Sequence, residues 1–181
     1  MKYGFALLLA SFFYCNAHAA EAERPKNIQV GIGSYAISIV YDNSFYGDDN
    51  LSGSTLALRG IFSDNFALQG NFYSTEHEDT SLLDNNGTDI LVYFGSGLQS
   101  TGLKLYAGGG LFRETWDLLG YTVDFNGFQF SGGIGYNWDI FAIDFILSLR
   151  DSSDYEDFVS SGGGSVTAAA ASGSLQFSAR F

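Results

Sequence analysis

The sequence predicts an all-β chain, an eight-stranded antiparallel up-and-down transmembrane β-barrel. Three observations carry that reading. Apolar residues alternate with small or polar ones over many segments, which is the period of a strand. The connections between those segments are alternately very short and long, as a meander of hairpins requires. The face opposite the apolar one is too thinly charged to be a water-exposed surface.

Residues 1–19 read as a signal peptide: Lys2, an apolar run from Phe5 to Tyr14, and the small-x-small site Ala17-His18-Ala19. That run is too short to cross a ~30 Å hydrocarbon core as a helix. Cys15 follows Tyr14 and not a small residue, which argues against lipid attachment. Cleavage after Ala19 removes the one cysteine, so no disulfide can stabilise the remainder. It also removes Lys2 and takes the net charge from -12 to -13. No basic stripe remains to displace counterions from phosphates, so nucleic acid is excluded as a partner. With 23 glycines, a single proline and 17% aromatic residues, an all-helical fold is disfavoured.

Eight strands are predicted near residues 27–41, 51–62, 65–74, 88–98, 101–113, 121–137, 139–150 and 168–181. In the fifth, Leu103, Leu105, Ala107, Gly109 and Leu111 oppose Lys104, Tyr106, Gly108, Gly110 and Phe112. In the seventh, Phe141, Ile143, Phe145, Leu147 and Leu149 oppose Ala142, Asp144, Ile146, Ser148 and Arg150. SDN (63–65), QST (99–101) and NWD (137–139) are the tight turns. YDNSFYGDDN, STEHEDTSLLDNNG, RETWDLLGYT and DSSDYEDFVSSGGGSVT are the long connections. The phase breaks twice. Ile28, Val30 and Ile32 lie on one face but Tyr35, Ile37, Ile39 and Tyr41 on the other, which predicts a bulge near Gly33-Ser34. A second slip is expected near Gly127. The fourth strand is apolar on both faces, so its orientation stays open.

The polar face decides which way the apolar face points. It consists of Gln, Ser, Asn, Thr, Gly and Tyr with isolated charges, and Arg59, Lys104, Asp144, Arg150 and Arg180 all fall on it. Such a face suits a crowded lumen, where Asp144, Glu114 and Asp89 would pair with the cations and plug it. Tyr41, Tyr73, Tyr93, Trp116, Tyr136 and Trp138, near strand ends, are expected to form interfacial girdles. Strands of ten residues and upward are long enough to cross a bilayer, and only closure satisfies the backbone there.

Several motifs resolve into ordinary roles. GIGSYA (31–36) matches a loose dinucleotide pattern, but the β-branched and aromatic residues after it open no helix. Asn86-Gly87 reads as a hairpin turn. Glu76, His77, Glu78 and Asp79 are the weak candidates for a metal site, and His77 with Ser74 or Ser81 for a hydrolase pair. A solvated loop histidine is the simpler reading, and neither metal nor cofactor is expected. Thirteen of the twenty acids lie in the long connections, among them Asp48, Asp49, Glu76, Asp84, Asp117, Asp154 and Asp157.

Signal peptide, eight strands, alternating short turns and long loops, and the closing segment SLQFSARF together resemble the small outer-membrane β-barrel domain family. The resemblance implies residence in the outer membrane of a Gram-negative bacterium, with residues 20–26 as a short periplasmic lead and 27–181 as the barrel. It implies that Leu175, Phe177 and Phe181 are read by the barrel assembly machinery. A monomeric barrel with a structural or surface-interaction role is expected, among outer-membrane lipids and lipopolysaccharide, the latter reached through divalent cations. A narrow porin-like channel or carrier of small or apolar solutes is the alternative, and a lipid-modifying enzyme the third.

Overall fold

The computed structural model describes residues 25–42, 47–78, 82–160 and 166–181; the signal-peptide reading, Asp79 and Ser81 fall outside them. Eight strands close into a barrel in sequence order: β1 (Ile28–Tyr41), β2 (Asp49–Ser63), β3 (Phe66–His77), β4 (Leu83–Ser96), β5 (Gly102–Leu118), β6 (Tyr121–Asn137), β7 (Phe141–Arg150) and β8 (Ala168–Arg180). Every neighbour is antiparallel, and β8 seals the sheet against β1 from Gln29↔Arg180 to Tyr41↔Ala168. Closure leaves no edge, so each backbone polar group in the wall finds a partner without water. A short helix, α1 (Ser153–Ser160), lies in the β7–β8 connection.

Outside, the wall changes character at one level on β1 to β7. Ile32 of β1 registers with Leu56 of β2, which registers with Phe72 of β3. One step higher, Ser34, Ser54 and Ser74 register in the same way. The same border separates Ile90 from Thr88, Leu111 from Arg113, Phe128 from Asn126 and Leu149 from Asp151. Below it the exposed residues are apolar down to a lower girdle. There Phe66 lies 5.4 Å from Phe62 and 5.1 Å from Phe94, and Trp138 lies 4.6 Å from Tyr136 and 4.5 Å from Phe141 (ring centroids). An exposed apolar belt of this continuity is the surface of a membrane-spanning barrel.

This border corrects the predicted bulge. β1 pairs without interruption on both sides, and no register shift occurs at Gly33-Ser34. Ile28, Val30 and Ile32 face lipid, whereas Tyr35, Ile37, Ile39 and Tyr41 fill the lumen above the belt. The apolar residues change faces because the solvent outside changes, not because the strand slips. Gly33 is glycine because a Cβ there would meet the Leu175 carbonyl oxygen at 2.1 Å. The slip near Gly127 is absent for the same reason: Phe125 points inward and Phe128 outward in an unbroken ladder.

The girdle assignment is also corrected. Tyr41, Tyr73, Tyr93 and Trp116 are buried in the lumen, and only Tyr136 and Trp138 face outward. Asn86-Gly87 is not a turn but mid-strand in β4, where Gly87 faces Tyr73 across the β3–β4 pair. A Cβ at Gly87 would sit 2.2 Å from the tyrosine ring, so the glycine makes room for it. RETWDLLGYT is likewise no loop: β5 and β6 run on to the turn Leu119-Gly120. β4 points Asp89, Leu91 and Tyr93 inward and Ile90 and Phe94 outward.

The short-turn end is drawn closed. Asp64, in the β2–β3 turn, accepts hydrogen bonds from the backbone N–H of Gly97 at 3.1 Å and Ser100 at 2.9 Å, and from the Ser100 hydroxyl at 2.5 Å. Those bonds, Ser100 foremost, lower the Asp64 pKa to about 2. Held this way, the turn after β4 folds across the barrel and places Leu98, fully buried, among Ile61, Tyr93 and Tyr106.

The border makes a direct test. Leu58→Arg, in the middle of the belt, should destabilise the barrel by ~2–4 kcal/mol in lipid vesicles, whereas Ser54→Arg, above it, should cost ~0–1 kcal/mol. Equilibrium denaturant titration of the two variants reads the difference.

Candidate functional site

The chemistry of this chain is concentrated in its lumen. Small barrels of eight strands have interiors just wide enough for side chains, and this one is filled by two linked polar clusters. Near the short-turn end, Asp144 of β7 receives Lys104 Nζ at 2.7 Å, Arg59 Nη1 at 3.0 Å and the Tyr106 hydroxyl at 2.6 Å. The Arg59 guanidinium lies 4.8 Å from the Tyr106 ring centroid and also donates to its hydroxyl at 2.9 Å. This cluster has two cations and one carboxylate.

Higher in the barrel, Arg150 of β7 donates to Glu114 at 2.8 Å, Asp89 at 3.1 Å, Tyr35 at 2.8 Å and Tyr73 at 3.0 Å. Glu114 is the other hub. Besides Arg150 it accepts from Tyr73 at 2.9 Å, Trp116 Nε1 at 3.0 Å, Asn85 at 3.3 Å and Tyr155 of α1 at 2.8 Å. Tyr35 and Tyr73 stack with centroids 4.2 Å apart, and Arg150 sits 4.5 Å over the Phe112 ring. This cluster has one cation and two carboxylates.

An amide wire joins the halves. Arg59 Nε donates to Gln69 at 2.6 Å, Gln69 to Asn71 at 2.7 Å, and Asn71 to Asp89 at 3.2 Å. Each half carries one unmatched charge, of opposite sign, so the buried set of Arg59, Lys104, Arg150, Asp144, Glu114 and Asp89 sums to zero. Unpaired charge at this depth is costly, and pairing with added hydrogen bonds offsets the desolvation. Between the clusters a void of about 10 Å³ beside Tyr35, Asn71, Asp89 and Ser148 has room for about one water. A larger hollow of about 660 Å³ is bordered by Ile32, Leu56, Phe72 and Phe177, residues of the lipid-facing wall.

Both ends are corked from loops. Above Glu114, α1 buries Tyr155 against Phe125, with ring centroids 4.7 Å apart, and Trp116 at 6.1 Å. Burial first, then the Glu114 carboxylate, raises the Tyr155 pKa and keeps its hydroxyl a donor. Below, Leu98 closes the floor, and Arg180 of β8 clamps the turns by donating to the carbonyls of Trp138 and Gln99.

No protein-family model and no curated protein matches the chain. Solved structures do. It is similar to Ail, the attachment invasion locus protein of Yersinia pestis, at 17% identity and TM-score 0.56, covering 87% of this chain and 100% of that one. It is similar to the outer membrane protein OprG of Pseudomonas aeruginosa at 12% identity and TM-score 0.56, covering 89% and 99%. Neisserial surface protein A matches at 13% identity and TM-score 0.50, covering 83% and 95%. This chain has the fold of the small outer-membrane β-barrels.

On this barrel the remaining sequence candidates are scattered. Glu76 faces outward and His77 inward on β3, and Ser74 stands on the outward face, so neither a metal site nor a Ser–His pair is assembled. His77 Nε2 lies 3.2 Å from Asp49 Oδ1, while the Glu78 backbone N–H pairs with the Asn50 carbonyl. Among the described residues, no three His, Cys, Asp or Glu side chains come together as a metal site. Leu175 and Phe177 face the lipid side of β8, and Phe181 continues its pairing, exchanging backbone hydrogen bonds with Ile28. The sequence reading placed Tyr106 on the lumen face without its bond to Asp144, and it missed Tyr35 and Tyr73 as lumen residues. Their parity, shared with Gln29 on β1 and Gln69 on β3, was the available signal.

Removing one hub should unbalance the set. Arg150→Met leaves Glu114 and Asp89 buried without their cation and should cost ~3–5 kcal/mol. Arg150→Met with Glu114→Gln and Asp89→Asn should recover most of that loss, read by denaturant unfolding in lipid vesicles.

Proposed function

We propose that this chain is an outer-membrane protein of a Gram-negative bacterium whose barrel is a sealed scaffold, its specific work being done by the long-loop rim. The observation that carries this is the cross-paired lumen, in which Arg59, Lys104 and Arg150 balance Asp144, Glu114 and Asp89, corked by Leu98 and Tyr155 and with a void of about 10 Å³ between its clusters. A pore needs a continuous wet path, and a solute carrier needs a cavity that opens. A rigid wall with long loops is instead the usual support for surface contacts.

The rim's chemistry narrows the partners. Ail of Yersinia pestis is known in complex with the heparin analogue sucrose octasulfate. Here Glu76, Glu78, Asp84, Asp117 and Asp154 are exposed or half-buried at that end, and exposed Arg113 is paired with Asp124 at 3.1 Å. A polysulfate is repelled by such a rim, whereas cations are attracted. Contact with lipopolysaccharide phosphates through Ca²⁺ or Mg²⁺ fits the same charge.

Two measurements test the reading. The purified barrel in a planar bilayer should show no unitary conductance, and stable steps would contradict a sealed lumen. Glu76→Gln with Glu78→Gln and Asp84→Asn should reduce the stabilisation that divalent cations give the folded barrel in lipopolysaccharide-containing bilayers. Unchanged stabilisation would remove the bridging role.

A further inference from the structure

The β5–β6 hairpin runs well past the apolar belt. Leu111 is the last belt residue of β5, yet the strand continues to Leu118. At ~3.4 Å per residue this carries the turn roughly 24 Å farther along the strand, into water. Its tip is Leu118-Leu119-Gly120-Tyr121, and there Leu119 is 71% and Tyr121 80% exposed.

The backbone makes the choice of leucine harder to explain by folding. Leu119 has φ 54°, the only positive value at a non-glycine among the described residues, and Gly120 follows at 87°. That is the conformation of a two-residue hairpin turn whose first position favours Asn, Asp or Gly. A leucine there works against its own backbone and gains almost no burial in return. Local strain that the fold does not repay points to a use elsewhere, and an exposed aliphatic and aromatic pair at an apex is suited to entering a partner.

The surroundings select that partner. Glu76, Asp84 and Asp117 stand directly opposite one another across β3, β4 and β5, all exposed on the outer face. Like charges in cross-strand register destabilise a sheet, and a cationic partner relieves them. Asp117 Oδ1 also accepts the Gly120 N–H at 3.1 Å, which fixes one carboxylate beside the tip. We propose that the tip docks a basic amphipathic polypeptide segment. Leu119 and Tyr121 enter its apolar face, and Glu76, Asp84 and Asp117 receive its Lys and Arg side chains. This rests on the surface-interaction reading and names the partner class for one hairpin of that rim.

The test uses the full barrel refolded into zwitterionic lipid nanodiscs, with chelator present so that divalent cations do not occupy the carboxylates. The probe is a fluorescent amphipathic peptide of leucine and lysine. Saturable binding, absent from empty discs, is expected. Leu119→Asn with Tyr121→Ser should weaken it roughly tenfold or more. Asp84→Asn with Asp117→Asn should weaken it and flatten its salt dependence. Leu119→Asn installs the residue the turn prefers, so the melting temperature of that variant should hold or rise, and unfolding cannot explain lost binding. Equal binding by wild type and both variants would overturn the assignment of the tip while leaving a surface-interaction role intact. No binding above empty discs, or preferential capture of anionic phosphatidylglycerol vesicles over the peptide, would overturn it as well. Unitary conductance, by contrast, would sink the sealed scaffold without touching this result.

Discussion

A continuous β-wall that starts in lipid and ends in water must show opposite kinds of side chain on the outer face of its two halves. That constraint organises this molecule. In the lower half Ile32, Leu56, Phe72 and Phe177 face the acyl chains, and the polar residues Gln29, Arg59, Gln69 and Asp144 turn inward. One step above, Ser34, Ser54 and Ser74 face out, and Tyr35, Ile37, Ile39, Leu51 and Phe125 turn in. The upper half is therefore built like a soluble barrel stacked on a membrane barrel, sharing one closed hydrogen-bonded wall. Closure comes first, because backbone groups in lipid have no other partner.

The lumen follows from the same division. Where lipid surrounds the wall, inward residues must be polar enough to leave the belt apolar, yet they sit far from bulk water, so their charges must cancel. The surplus cation among Arg59, Lys104 and Asp144 and the surplus anion among Arg150, Glu114 and Asp89 are joined through Gln69 and Asn71. Where water surrounds the wall, an ordinary aromatic and aliphatic core forms, and α1 contributes Tyr155 to it. Tyr155 hydrogen-bonds Glu114, so the apolar cap and the charged plug meet at one carboxylate. A lumen packed this way gives rigidity to the rim and leaves variation to the loops.

Much of the fold was legible because strand period is local. The run Leu103 to Leu111 against Lys104 to Phe112 declares two faces without reference to any neighbour, and closure by β8 was implied by the alternation of Leu175, Phe177 and Ala179. What period does not declare is which solvent lies outside at each height. Tyr35 and Ile37 therefore read as a register break, and Tyr73, Tyr93 and Trp116 as interfacial residues, when both are lumen residues above or within the belt. Asn86-Gly87 carried a turn signal, but Gly87 answers to the Tyr73 ring one strand away, a cross-strand requirement invisible in local sequence. The lumen cations and their acids were readable as a set. Which acid meets which cation was not, because sheet stagger brings Arg150 to both Asp89 and Glu114 from strands far apart in sequence.

Residues 20–181 contain no cysteine, so single cysteines can be introduced in pairs of rows across the border. The most direct test attaches spin labels at Ile32, Leu56 and Phe72, and separately at Ser34, Ser54 and Ser74, in the bilayer-inserted barrel, and compares their collision rates with oxygen and with a water-soluble paramagnetic complex. The first row should be reached by oxygen and shielded from the complex, and the second row, one residue pair higher on each strand, should show the reverse. Lipid-like accessibility at all six positions would contradict the account, since the membrane would then extend past the level at which the outer face turns polar.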